Sequence, residues 1–360
     1  MFGCDRSFDG RHLWGELSMT VPTGRAVQFS APEAVDVVPI EPPEPPAGKL
    51  LVETTVSAIS AGTELLLYHG QVDPTTIADE QLPALDGTLS YPIRYGYAAT
   101  GTVSAVGDGV DAAWLGRTVF AFNPHESHFL AAPDDVLVVP EGVDTERAAL
   151  FANTETAVNF MLDAAPRIGE RVAVFGQGII GLLTTALLAR SPAETVLAVE
   201  PHARRRELAR ELGADVVLDP TQTDVATAVH DRFDGVDLAI EVSGRPSTLE
   251  TAVEATRYDG RVLVGSWYGT KRETLGFGDH HHRGRISIES SQVSTIDPML
   301  RGRWDVDRRR ETAWRQLQTL GDDLDGLVTH RTPVEDAPKA YRRLAETPAE
   351  TLQTLLTYRD

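Results

Sequence analysis

RVAVFGQGIIGLL, residues 171–183, decides the fold: a G-x-G-x-x-G run (Gly176, Gly178, Gly181) directly follows a short apolar strand-like segment and opens an apolar helix. Gly176 permits a tight turn, Gly178 lets the backbone approach a pyrophosphate, and Gly181 allows close helix–strand packing. The helix N-terminus then offers free N–H donors and the positive end of its dipole to the phosphates. Gln177, Ile179 and Ile180 lie within the same cradle. Glu200 closes the next strand-like run, 19 positions beyond Gly181. A carboxylate there accepts hydrogen bonds from a ribose 2′-hydroxyl and repels a 2′-phosphate, so NAD is preferred, with NADP left open. Arg204, Arg205 and Arg206 just downstream keep it open, since they suit a phosphate as well as an adenine face or a solvated helix surface; Arg205 joins the cofactor-binding set.

The same stretch carries a false signal. Val172 to Ala189 is uncharged, bounded by Arg171 and Arg190, and long enough to span a bilayer. Its three glycines fit a nucleotide turn better.

Outward from this turn, strands and helices alternate. TVLAVE (195–200), ARRRELARELGA (203–214), DVVLD (215–219), DLAIEVSG (237–244), PSTLETAVEATR (246–257) and GRVLVGSW (260–267) follow one another, as a buried parallel sheet with crossover helices requires. The strand ends add Ser243, Gly265 and Ser266 to the cofactor-binding set. RISIESSQV (285–293) is a further strand candidate. The first 150 residues differ, with Val- and Thr-rich runs at 49–60, 97–107, 117–122 and 135–140 and a proline-rich loop at 41–46. The fold class is α/β: a doubly wound parallel sheet joined to a β-rich domain.

Composition narrows the function. Among 360 residues, 33 are Lys or Arg and 53 Asp or Glu, for a net charge of −20. Such a chain repels nucleic-acid phosphates and anionic membranes, so neither is an expected partner. Only Lys49, Lys271 and Lys339 are lysine, and excess carboxylate with scarce lysine fits a salt-adapted surface. Cys4 is the only cysteine, which forbids an intramolecular disulfide and a zinc site of the all-cysteine or Cys₂His₂ type. The N-terminal MFGCDRSFDGRHLW is charged and lacks an apolar core segment, so the expected location is the cytoplasm.

SAISAGTELLLYHG (57–70), YPIRYGYAATGTVSAVG (91–107), ERAALFANTETAV (146–158) and RIGERVAVFGQGIIGLL (167–183) together resemble the medium-chain dehydrogenase/reductase superfamily over nearly the whole chain. AGTELLLYHG, YPIRYGYAA and GSWYGTK look most like the subgroup related to bacteriochlorophyllide dehydrogenase. The resemblance implies a GroES-like catalytic domain from residues 1–155 and 295–360, with a Rossmann domain at 156–294 inserted. It also implies an NAD(P)-dependent alcohol/carbonyl oxidoreductase, with an enoyl or quinone reductase, or a non-catalytic NAD(H) sensor, as alternatives. In zinc-dependent relatives a Cys precedes Gly-Thr-Asp; here Ala61 precedes Gly62-Thr63-Glu64. Their Gly-His-Glu reads Gly96-Tyr97-Ala98, and their third ligand falls near Ala152 or Asn153. A catalytic zinc needs three protein ligands, so the expectation is an enzyme without zinc or any other metal.

Four residues are candidates for the chemistry. Thr63 matches the hydroxyl that starts the proton relay in zinc members, or caps the following helix. Tyr97 replaces a metal ligand, as a hydrogen-bond donor or general acid, or fills the volume left by zinc. His125 and His128 fall where relatives place active-site walls and titrate near neutrality, or are satisfied loop histidines. Asn153 and Glu155 lie at the expected domain junction, and Trp267 and Tyr268 wall the nicotinamide or a planar substrate, or fill the core. His280-His281-His282 reads as a surface loop. Residues 271–310 carry nine Lys or Arg against six Asp or Glu, a local +3. That stretch fits a subunit interface of a homodimer, or a cleft mouth for a small anionic substrate.

Overall fold

The computed structural model describes residues 24–79 and 81–358. Cys4 and the N-terminal stretch read above lie outside them. The described residues open on a hairpin absent from the strand-like runs above, β1 (Gly24–Ala31) and β2 (Ala34–Ile40), paired antiparallel. β3 (Leu50–Ala58), helix α1 (Ala61–Tyr68), β4 (Ala99–Val106), β5 (Thr118–Ala121), β6 (His128–Ala131) and β7 (Val136–Val138) follow. After α2 (Thr145–Ala148) and α3 (Phe151–Ala164), the parallel part begins.

That part runs β8 (Arg171–Phe175), α4 (Ile179–Leu188), β9 (Thr195–Val199), α5 (Ala203–Glu211), β10 (Val216–Leu218), α6 (Val225–Phe233), β11 (Val236–Glu241), α7 (Pro246–Ala255), β12 (Thr256–Val264) and β13 (Ser287–Ser290). The sheet order is β10-β9-β8-β11-β12-β13, parallel throughout. This is a Rossmann order, which reverses direction between β8 and β11 and leaves a crevice at their carboxyl ends. The apolar stretch from Val172 to Ala189 is thus split between a strand, a turn and a helix. Among the described residues no helix is long and apolar enough to cross a membrane.

The chain then returns. α8 (Val306–Leu320), β14 (Val328–Pro333), α9 (Ala337–Glu346) and β15 (Gln353–Thr357) follow, and β15 pairs antiparallel with β3. The first sheet is therefore ordered β14-β15-β3-β4-β5-β7, with β6 also on β3, as in a GroES-like domain with an inserted Rossmann unit.

One apolar cluster spans both halves. Phe120 from β5, Phe151 from α3 and Trp314 from α8 stack with centroids 4.9 and 4.3 Å from Phe151, and α4 and α5 add Leu182 and Leu208. Truncating the fully buried Phe151 to Ala would cost about 3–5 kcal/mol. The shared core packs α4 and α5 of the Rossmann unit against the Val56–Ala58 end of β3 and Phe120 of β5.

Candidate active site

The glycine turn shows three separate constraints. Gly176 sits at φ 96°, and a Cβ there would fall 2.6 Å from Ser243 Cα, so β8 and the β11 loop touch at the point of strand reversal. A Cβ on Gly181 would lie 2.0 Å from the Gly176 carbonyl oxygen, which locks α4 onto the turn. A Cβ on Gly178 would meet nothing within 4 Å, and this N-cap has no side chain to satisfy the first-turn amides. Open space before unsatisfied N–H groups is what a pyrophosphate requires.

The residues between the glycines contribute backbone. Gln177 was expected in the cradle, but its side chain is fully buried, donating to Val174 O (3.1 Å) and accepting from Thr185 Oγ1 (2.9 Å). Ile179 and Ile180 pack into the apolar core. Glu200 stands beside the turn, where its Oε2 accepts the Gln177 N–H (2.8 Å) and its Oε1 the His202 N–H (3.0 Å).

Arg205 departs from its expected role. It turns away from the cradle and donates from Nη2 to Pro348 O (2.8 Å) and Thr351 O (2.9 Å), tying α5 to the C-terminal segment. A guanidinium is drawn there because two carbonyls at a chain bend otherwise lack donors. Arg206 bonds the carbonyls of Glu200 and Pro201 and pairs with Asp219 at 2.9 Å.

Across the crevice, Ser243 and Ser266 organise loops. Ser243 donates its N–H (2.8 Å) and hydroxyl to Glu241 Oε1, while Ser266 Oγ accepts the Gly244 N–H (2.9 Å). A Cβ on Gly265 would lie 2.2 Å from the Phe160 ring. Glu241, fully buried, was missed; its other oxygen accepts from the Tyr268 hydroxyl at 2.5 Å. A charged residue closing the apolar run DLAIE was the available signal. Burial, reinforced by the Glu241 charge, holds the Tyr268 phenol well above its ordinary range. Tyr268 is thus committed to the loop, while Trp267 is 43% exposed.

The structure brings Thr63 and Tyr97 together. The phenol donates to Thr63 Oγ1 at 3.1 Å and makes a shorter bond with Ser60 Oγ, a third hydroxyl the sequence reading passed over. Burial pushes the Tyr97 phenol above 10.0, against the lowering effect of the Ser60 and Thr63 hydrogen bonds. It therefore stays protonated and able to donate at neutral pH.

His125 is a correction. Its ring is fully buried and braced on both sides, Nδ1 at 2.7 Å from Ser57 Oγ and Nε2 at 3.0 Å from Glu64 Oε2. Protonation at Nε2 satisfies this network: Nε2–H donates to Glu64, and Nδ1 accepts from Ser57, which accepts from Tyr358. Glu64 Oε2 also accepts from Tyr341, and Oε1 accepts the Ser60 N–H at 2.7 Å. His125 thus reaches the hydroxyl cluster only through Glu64. His128 lies elsewhere: it starts β6 opposite Glu53, with Nδ1 at 2.9 Å from Ser127 Oγ. Glu53 is five residues, roughly 17 Å of extended chain, before the Ala58 end of β3 that adjoins the hydroxyl cluster.

At the positions that the family resemblance matches to zinc ligands stand Ala61, Tyr97, Ala98, and Ala152 or Asn153. The alanines carry no donor, the phenol is engaged by Ser60 and Thr63, and Asn153 Nδ2 donates to Gln353 Oε1 at 3.3 Å. This donor set does not fit a catalytic zinc. His280 and His281 fall on a π-helical turn (Phe277–His281) that His282 caps, rather than on an irregular loop, with His280 Nε2 at 2.8 Å from Thr256 O. Glu155 anchors α8 instead of facing the crevice, accepting from the buried Arg309 at 2.9 and 3.1 Å.

Comparison with known proteins agrees with this architecture. A family model described as zinc-binding dehydrogenase matches residues 180–305. D-guloside 3-dehydrogenase of Escherichia coli is 26% identical over 258 residues, covering 70% of this chain and 74% of that protein. L-threonine 3-dehydrogenase of Pyrococcus furiosus is 29% identical over 346 residues, covering 85% and 90%. The solved structure of 2R,3R-butanediol dehydrogenase from Bacillus subtilis superposes with a TM-score of 0.77 at 21% identity, covering 93% of this chain and 100% of that one.

Proposed function

The chain belongs to the medium-chain dehydrogenase/reductase superfamily, an alcohol-dehydrogenase-like oxidoreductase using a nicotinamide cofactor, and on that premise we propose that it works without zinc on an alcohol/carbonyl pair. The observation that carries this reading is the Tyr97–Ser60–Thr63 hydroxyl cluster, in which Tyr97 stands at a position that the family resemblance matches to a zinc ligand. The matched family model spans 180–305 and so does not reach Ala61 or Tyr97.

A bound nicotinamide would take up or deliver the hydride. The chain itself must orient the substrate and move one proton. In the reducing direction the Tyr97 phenol donates a hydrogen bond to the substrate carbonyl oxygen and then its proton, in place of Lewis-acid polarisation. Ser60 and Thr63 hold the phenol oxygen and carry the replacement proton. Glu64 fixes Ser60 through its backbone N–H. NAD is the preferred cofactor, because Glu200 lies beside the turn with a carboxylate that a 2′-phosphate would oppose.

We read the protein as a cytoplasmic homodimer. The support for a dimer is β13, a sheet edge paired only with β12 among the described residues and largely exposed. The experiment combines metal analysis of purified protein with a turnover screen of carbonyls, enones and quinones under NADH and NADPH. Carbonyl reduction without stoichiometric zinc is expected. One tightly held zinc per chain, or turnover confined to enones or quinones, overturns the reading.

A further inference from the structure

A cavity of about 290 Å³ opens between the segment at Gln81–Ala84, strands β5 and β6, and α8. Phe122, Asn123, Leu137 and Arg310 line it. Its position follows from strand register. Ala99 pairs with Ala121, and the His125 N–H donates to Tyr95 O at 3.4 Å, so the same pairing sets Phe122 beside Ala98 and Asn123 beside Tyr97. The cavity therefore adjoins the backbone that carries the hydroxyl cluster.

Arg310 enters this space sharing its carboxylate partner with Arg309. Glu155 Oε1 accepts two hydrogen bonds from Arg309, and both of those residues are 3% exposed. Arg310 Nε lies 3.5 Å from the same oxygen, so two guanidinium groups share one carboxylate oxygen. Phe122 supports the group from below, with the guanidinium carbon 5.4 Å from its ring centroid. Among the described residues the terminal amines of Arg310 meet no hydrogen-bond acceptor, and the side chain keeps 28% of its exposure. Lys49, Asp134 and Asp135 also line the cavity, Lys49 facing Asp135 at 3.8 Å, and both carboxylates are exposed, so solvent and salt screen them. The result is a planar fork, held by Glu155 and Phe122, aimed at a pocket beside the reacting end.

We propose that this cavity binds the carboxylate of the substrate, with Arg310 Nη1 and Nη2 as a bidentate donor pair, so that the alcohol/carbonyl pair belongs to a hydroxy or oxo acid. The inference rests on the oxidoreductase reading above and adds the substrate class. If Arg310 served only to pack against Glu155, acids and their neutral esters would be treated alike.

The test uses 3-hydroxybutyrate, 4-hydroxypentanoate and 5-hydroxyhexanoate, each with its methyl ester, at one ionic strength and with NAD and NADP. The matching oxo acids and oxo esters are titrated into NADH-loaded protein by cofactor fluorescence, which needs no turnover. At least one acid is expected to exceed its ester by roughly tenfold in kcat/KM or in affinity. Arg310→Gln should lower that ratio by roughly tenfold, and Arg310→Lys should fall between. NADH affinity and the melting temperature check that both variants fold. Equal treatment of acid and ester, a ratio retained in Arg310→Gln, or no binding and no turnover across the series each overturns the proposal. Arg310-dependent binding of an oxo acid without turnover would keep the anion site and reject the redox reading. Turnover of ester and acid alike would do the reverse.

Discussion

The Tyr97 hydroxyl lies 3.1 Å from Thr63 Oγ1, across 34 residues of chain. A phenol held this way replaces a Lewis acid only if its proton reaches the substrate oxygen. Tyr97→Phe should therefore lower kcat by about 100-fold, within the usual range for a general acid. NADH affinity should remain within about twofold, since no Tyr97 atom takes part in the glycine turn. Because burial raises the phenol, the wild type should lose activity to phenolate formation only at a higher pH than an ordinary tyrosine would. Unaltered turnover in the variant would reduce Tyr97 to packing.

Glu200 has a double duty that complicates the cofactor question. Its carboxylate bonds the N–H groups of Gln177 and His202, so removing it loosens the turn for any dinucleotide. The informative quantity is the ratio of affinities. Glu200→Ala should weaken NADH about tenfold more than NADPH, because a charged hydrogen bond to the 2′-hydroxyl is lost while repulsion of a 2′-phosphate is relieved. Titration of both reduced cofactors by fluorescence reads this directly. A ratio equal to that of the wild type would remove Glu200 from the ribose.

Much of the nucleotide half was legible because its constraints are local. A glycine needed at φ 96°, or one whose Cβ would strike a carbonyl five residues back, leaves a mark within six residues of sequence. The catalytic half was less legible. Glu64 meets Tyr341 across 277 residues and His125 across 61, and no periodicity encodes such pairs. His125 is expected at a cleft because its position matches one where relatives place an active-site wall, yet the ring is enclosed by Ser57 and Glu64. Ser60 escaped notice for a related reason: a lone serine at a strand end becomes informative only when a phenol from another strand reaches it. Arg309 and Arg310 looked like one basic surface, whereas burial divides them into a structural ion pair and a cavity lining.

The charge of −20 leads to a prediction about salt. Carboxylates in excess repel one another across the folded surface, and the repulsion weakens as the Debye length falls from about 10 Å at 0.1 M to about 3 Å at 1 M. The melting temperature should therefore rise by several degrees between 0.1 and 2 M KCl, approximately, as for a self-repelling acidic shell. Calorimetry at neutral pH measures this. A flat or falling melting temperature would show that the acidic surface is not a salt adaptation.

Asp163 supplies a stability effect whose sign can be worked out. Its carboxylate accepts from Ser291 Oγ (2.5 Å) and Asn159 Nδ2 (2.9 Å) at the seam between α3 and the segment after β13. Burial raises it above its ordinary 3.8, with the Asp297 charge adding and the Ser291 bond and Arg309 opposing. A raised carboxyl in the folded state binds its proton more tightly than in the unfolded chain. Its contribution to stability is therefore full below the unfolded value and is lost as pH rises through the folded one. Asp163→Asn keeps an oxygen for Ser291 and removes the charge, so its melting temperature relative to the wild type should increase as pH is raised from below 3.8 toward neutrality. The carboxylate is partly exposed, so solvent screening limits the gain to about 1 °C. Paired melts across that range decide it: a difference independent of pH, or one that shrinks as pH rises, means that the Ser291 and Asn159 bonds outweigh desolvation at this site.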